Sequence, residues 1–213
     1  MTNHNLVTFE NWTLRVRPGT GKRIILLLHG WTGDENSMSI FTRNFPIEYW
    51  IISPRAPYAA NPNGFSWRAP AAQGSWPSVD LFRPSINALL DLIDRFAAAN
   101  DLDSSNFDVA GFSQGGALTL TFGLLHPSRV RKMGILAGFA PEGTQQILES
   151  DLLSGKSIFL AHGTLDKTVP IEMARQTIQY LESAGAKVIY CESEIGHKLS
   201  VDCLRALENY LVH

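Results

Sequence analysis

What most constrains this chain is a regular alternation of two patterns. Short continuous apolar runs, "RIILLLHG" (23–30), "YWIISPRAP" (49–57), "NFDVAGFS" (106–113), "KMGILAGF" (132–139), "SIFLAHG" (157–163) and "KVIYCES" (187–193), are separated by stretches of helical spacing. Each run has strand length and is bounded by Gly, Pro or Ser. Between them, Ile86, Leu89, Leu90, Ile93, Phe96 and Ala97 fall on one helical stripe that begins after Pro84, a residue suited to a helix's first turn. Further helices are expected at 114–125, at 171–183 with Ile171, Ala174, Ile178 and Leu181 inward, and at 199–211 with Leu204, Leu207 and Leu211 inward. Strands without polar alternation are buried on both faces, and each parallel pair needs a crossover connection. The expected fold is therefore three-layer α/β, a mostly parallel sheet with helices on both faces. "NWTLRVR" alternates Trp12, Leu14 and Val16 with polar residues and reads as an antiparallel edge strand ahead of the parallel core. With 213 residues, 45% hydrophobic, the core elements use up the chain, so one domain spanning 1–213 is expected, with no separate cap domain.

Charge and composition exclude several classes of function. The formal net charge is −2 and the Lys and Arg residues are scattered singly, which leaves no basic surface for nucleic acid. The start "MTNHNLVTFE" lacks the cationic and apolar segments of a secretory signal, and the longest aliphatic run, Ile24 to Leu28, is too short to span a bilayer. A cytoplasmic protein without stable membrane association is expected. Cys191 and Cys203 form no CxxC or Cys/His spacing, so neither a metal site nor a disulfide is suggested and buried free thiols are expected.

In open parallel sheets ligands bind beyond the carboxyl ends of the strands, so the residues that follow each apolar run are the candidates for chemistry. Ser113, in Gly111-Phe112-Ser113-Gln114-Gly115, follows "FDVA" and precedes a helix of small and apolar residues. The strand, sharp turn and helix are what a nucleophile elbow requires, although the five-residue pattern alone arises by chance in roughly 5–10% of chains this long. A serine hydroxyl also needs a base, and the base needs an orienting group. Asp166 follows "SIFLA" and His197 follows "VIYC", which gives the chain order Ser113, Asp166, His197. Asp151 and Asp202 are weaker rivals to Asp166. Of the six histidines, His29 and His162 also sit at strand ends but come too early in that order; both are expected to brace their turns. His4, His126 and His213 are read as structural. For the oxyanion, the backbone N–H groups of Gln114 and of Trp31, in "HGWTGDENS", are the expected donors.

"LLLHGWTGDENS", "PRAP", "GFSQGGALTL", "AHGTLDKTVP" and "IGH" together resemble the carboxylesterase/phospholipase branch of the α/β-hydrolase superfamily, which includes the acyl-protein thioesterases. The resemblance covers almost the whole chain. It implies a cofactor-free, metal-free serine hydrolase with Ser113, Asp166 and His197 as its triad. Two departures, Trp31-Thr32 after the first "HG" and "SWRAP" in the long loop, bear on the substrate pockets and leave the triad untouched.

The expected substrate is a short- to medium-chain ester, with thioesters and lysophospholipids included, cleaved through an acyl-enzyme. Phe65, Trp67 and Phe139 are the expected substrate-binding aromatics, together with Trp31, while Arg55 and Arg68 read as solvated loop arginines in preference to contacts for an anionic substrate. The long segment 53–77, with five prolines, is expected to lie over the binding edge. A small-molecule ester is the expected partner, and a homodimer is left open. A non-catalytic ligand-binding protein, or an acyltransferase or peptidase with the same triad, is the alternative.

Overall fold

The computed structural model describes residues 4–70 and 76–212; residues 1–3, residues 71–75 of the long loop and His213 lie outside the described residues. In chain order the strands are β1 (Asn5–Phe9), β2 (Trp12–Arg17), β3 (Ile24–Leu28), β4 (Trp50–Pro54), β5 (Tyr58–Ala59), β6 (Phe65–Ser66), β7 (Phe107–Phe112), β8 (Val130–Leu136), β9 (Ser157–Gly163) and β10 (Lys187–Ser193). The helices are α1 (Val79–Asn100), α2 (Gln114–Leu125), the single turn α3 (Thr144–Ile147), α4 (Ile171–Ser183) and α5 (Val201–Val212), with a 3-10 helix, η1, at Ser37–Phe41.

Eight strands form one sheet in the order β1-β2-β4-β3-β7-β8-β9-β10, parallel from β4 through β10 and antiparallel at β1 and β2. Pleating explains the continuous apolar runs: in β3, Leu26 and Leu28 pack with α1, α2 and α4 on one face, while Ile25 and Leu27 pack with η1 and α5 on the other. The two faces give the three layers expected from the sequence, and among the described residues there is no separate cap domain.

Three details depart from the sequence reading. β2 is not the edge strand, because residues 5–9 pair with it along their whole length and Phe9 packs edge-on against Phe96 of α1 at 5.2 Å. That outer strand has one dry face only, so its hydrophobic signal is weak. Helix α1 begins at Val79, ahead of Pro84. Burial of Val79 and Phe82, together with the Glu142 carbonyl that accepts the Val79 N–H at 2.8 Å, carries the helix through a proline that offers no N–H to the preceding turn. In α4 the buried positions are Ala174, Thr177 and Leu181, with Ile171 and Ile178 only packed against the core from its rim. Among the described residues no helix is long and apolar enough to cross a membrane.

Candidate active site

The carboxyl ends of β3, β7, β9 and β10 bring the candidate residues to one edge of the sheet. Ser113 sits between β7 and α2 with φ 55° and ψ −115°, a strained conformation for a residue with a side chain. Its N–H donates to the Leu136 carbonyl of β8 at 2.8 Å, which pins the turn to the neighbouring strand. The flanking glycines are there for space. A Cβ at Gly115 would lie 2.0 Å from the Leu28 carbonyl oxygen, and one at Gly111 would lie 2.1 Å from the Gly115 carbonyl oxygen. Only with both positions bare can α2 start this close to β3 and β7, and that closeness turns Ser113 outward.

Asp166, in the turn after β9, is buried and fully engaged. Its Oδ1 accepts the N–H groups of Thr168 and Val169 at 2.8 and 3.0 Å, and its Oδ2 accepts from His197 Nδ1 at 2.6 Å. Burial pushes this carboxyl up, but the His197 bond and the two backbone donors outweigh it and hold the group below the ordinary carboxylate range. With Nδ1 donating to the carboxylate, the lone pair of the neutral imidazole is on Nε2. The His197 ring lies against Phe112, the residue before Ser113, with centroids 4.9 Å apart. Ser113 and His197 both line a cavity of about 520 Å³.

Four other histidines, among the described residues, serve the scaffold. His29 Nε2 accepts the Ala56 N–H at 3.1 Å and its Nδ1 pairs with the Gly30 carbonyl at 2.7 Å, while burial lowers its pKa. His162 Nε2 donates to the Val169 carbonyl at 2.8 Å, supporting the Asp166 turn from beneath. His126 caps α2, and His4 meets the Thr42 hydroxyl at 3.1 Å. Of the rival carboxylates, Asp202 lies exposed beside Arg205 and Asp151 occupies a turn at φ 65°; neither reaches His197.

The turn that carries Trp31 is closed by the Gly33 N–H on the Gly30 carbonyl at 3.0 Å, and its backbone is clamped by β6. Thr32 N–H donates to the Phe65 carbonyl and Phe65 N–H to the Gly33 carbonyl, each at 3.0 Å. Gly64 packs so tightly here, at φ +86°, that a Cβ would lie 2.0 Å from the Thr32 carbonyl oxygen. If the Trp31 N–H is the oxyanion donor expected from the sequence, a Gly64→Ala variant, which displaces this turn, is expected to lower kcat by about 10- to 10³-fold, approaching the loss of one such donor. Ester kinetics at fixed enzyme concentration, with circular dichroism confirming the fold, check this; an unchanged kcat would separate the turn from catalysis. On the other side of the elbow, the buried Gln114 side chain accepts the Trp67 N–H at 2.9 Å and lies within 3.2 Å of the Ser66 hydroxyl, locking α2 to the same segment. That bracing role of Gln114 was not visible in the sequence.

The expected substrate aromatics are placed otherwise. Trp67 is fully buried, its indole N–H donating to the His29 carbonyl at 2.8 Å. Phe65 lies under the Arg55 guanidinium at 4.7 Å, and Phe139 is buried edge-on against Trp76 at 4.8 Å. None of the three lines the cavity beside Ser113. Its apolar wall is built instead by Met38 and Phe41 of η1, Phe112 and Leu199, with Ile40 and the Trp31 side chain at the rim. The loop arginine Arg55 is not simply solvated either, since it forms a two-pronged ion pair with the buried Glu35, at 2.8 and 2.9 Å.

The cysteines correct the expectation of free thiols: Cys191 of β10 and Cys203 of α5 form a disulfide, with Cα atoms 5.7 Å apart. The strand and helix are adjacent in space although neither cysteine lies in a recognisable spacing motif. The bridge closes the loop that carries His197. Reduction, or a Cys191→Ser/Cys203→Ser double substitution, is expected to cost about 2–4 kcal/mol through loop entropy, lowering Tm by roughly 5–15 °C. Thermal melts with and without a dithiol reductant measure it; coincident melts would show that the closed loop adds nothing.

The profile of the phospholipase/carboxylesterase family matches residues 17–213. A probable carboxylesterase SOBER1-like of Arabidopsis thaliana is 31% identical over 93% of this chain and 81% of its own. An acyl-protein thioesterase 1 of Debaryomyces hansenii is 28% identical over 62% of this chain and 59% of its own. In fold, the chain superposes on a carboxylesterase of Bacillus cereus with a TM-score of 0.84 and 20% identity, covering 95% of this chain and 94% of that one.

Proposed function

This chain belongs to the phospholipase/carboxylesterase family, an ester-hydrolase family, and on that premise we propose that it is a serine hydrolase acting through Ser113, His197 and Asp166. The observation that carries the reading is the 2.6 Å bond from His197 Nδ1 to a buried, ionised Asp166, in a site where His197 and the elbow serine face one cavity.

In this reading His197 Nε2 takes the Ser113 proton as the hydroxyl oxygen attacks the substrate carbonyl. Asp166 holds the imidazole in the required tautomer and stabilises the imidazolium. The N–H groups of Gln114 and Trp31 meet the developing oxyanion, and they do so without reorganising, because the Ser113–Leu136 bond and the β6 clamp already fix both turns. Water then repeats the sequence on the acyl-enzyme, with His197 as the base. Short- to medium-chain esters and thioesters are the proposed substrates.

A fluorophosphonate probe tests this directly. It is expected to label the wild-type protein once, with the adduct mapped to Ser113 by mass spectrometry. An unlabelled protein, or a label elsewhere, would end the assignment.

A further inference from the structure

We infer that the cavity beside Ser113 receives the leaving alcohol or thiol of the substrate, and that this moiety is apolar; the inference rests on the serine-hydrolase reading above. The position of the cavity sets its occupant. As the carbonyl carbon gains its bond to Ser113 Oγ, the serine proton passes to His197 Nε2. The C–O or C–S bond then breaks, its electron pair stays on the leaving oxygen or sulfur, and that atom takes the proton from Nε2 and departs as a neutral alcohol or thiol. The leaving atom must therefore lie within reach of the imidazole, and the chain it carries runs into the space next to His197. That space is walled by Leu199, two residues beyond the histidine, by Phe112 beneath its ring, and by η1 opposite. With the carbonyl oxygen directed at the Trp31 and Gln114 N–H groups, the acyl chain is the remaining substituent and points away from this wall.

The chemistry of the wall sets the class. Met38 and Phe41 are buried with their surfaces turned to the cavity, and Phe41 stacks with Phe112 at 6.1 Å. Ile40 is 71% exposed at the rim, an apolar side chain with little packing of its own beside the nucleophile. The Ser37 hydroxyl, which lines the cavity from that helix, is already committed to Asp34, accepting its N–H at 2.9 Å and donating to its carboxylate at 3.0 Å. Lys198 supplies the charge among the lining residues, on an exposed side chain. A volume of about 520 Å³ lies within the usual span of small-molecule sites, roughly 300–1,000 Å³. Such a wall fits an alkyl or aryl alcohol and offers little to a sugar or polyol.

Two series of esters test the inference on the full chain: acetates of methanol, butanol, hexanol and octanol, and methyl esters of the corresponding acids. For the wild type, kcat/KM is expected to rise by roughly two- to fourfold per added alcohol methylene until the cavity is filled. Ile40→Asp, at an exposed position where the fold tolerates it, is expected to lower the octyl-to-methyl acetate ratio by about tenfold or more. The octanoate-to-acetate ratio of the methyl esters should move by less than about twofold. Ile40→Trp, which adds bulk at the rim, should shift the preferred alcohol to a shorter chain. A fall in the acyl ratio with the alcohol ratio intact would make the cavity an acyl site, and no change in either ratio would remove it from substrate binding; both outcomes overturn the inference while leaving the triad standing. A wild type that takes no fluorophosphonate and cleaves no ester would instead overturn the parent reading, and this one with it.

Discussion

Ser113→Ala is expected to lower kcat for ester hydrolysis by about 10⁴- to 10⁶-fold while leaving the fold intact. The size of the effect follows from what remains. In the proposed mechanism no acyl-enzyme forms without Oγ, and the proposed oxyanion donors and the cavity that remain would support only the ~10³- to 10⁴-fold acceleration over water that binding and electrostatics provide. Stability should barely move. The bond that fixes the elbow is made by the backbone N–H of residue 113 to the Leu136 carbonyl, and alanine keeps it. The positive φ of 55° strains alanine much as it strains serine, and the lost hydroxyl makes no hydrogen bond that caps α2. Steady-state kinetics beside a thermal melt separate the two effects. Retention of more than about one-hundredth of wild-type kcat with an unchanged melt would show that another group attacks the substrate.

The parts of this site that were legible in sequence are those that depend on strand ends. A parallel sheet gathers the carboxyl ends of its strands on one edge, so Ser113, Asp166 and His197, each just after a separate apolar run, had to share a neighbourhood. The glycines around Ser113 were equally readable, because a close crossing of α2 over β3 and β7 excludes a Cβ whatever the rest of the chain does. Side-chain direction in loops was not. Trp67 belongs to an aromatic, proline-rich segment of the kind that covers binding sites, yet its indole is turned inward by the His29 carbonyl and its N–H by Gln114, two long-range partners that no local pattern announces. The cavity wall was missed for the converse reason: Met38, Ile40 and Phe41 lie on a 3-10 helix of five residues, too short for a periodic signal. The disulfide likewise joins a strand to the helix that follows it, and twelve residues of separation reveal nothing until α5 folds back along β10.

Asp166→Asn provides the second large effect, an expected drop of about 10⁴-fold in kcat with the turn preserved. Asparagine retains a carbonyl oxygen for the Thr168 and Val169 N–H groups, so the turn after β9 keeps its two backbone bonds. The amide –NH₂ then occupies the place of Oδ2 and faces His197 Nδ1 across 2.6 Å. Two donors cannot meet there, so the imidazole moves its proton to Nε2, where no lone pair remains to accept from Ser113. The same substitution reads out the charge. Asp166 has its folded pKa held below the ordinary value of 3.8, so the stability it contributes is present above that value and is lost as pH falls through the folded pKa. The melting temperature of Asp166→Asn should therefore lie below that of the wild type at neutral pH, and the gap should close as the pH is taken below the ordinary carboxylate range. A gap that stays constant into acid would mean that the carboxylate charge is not what secures this turn, and a variant with near-normal kcat would mean that His197 takes its orientation from another partner.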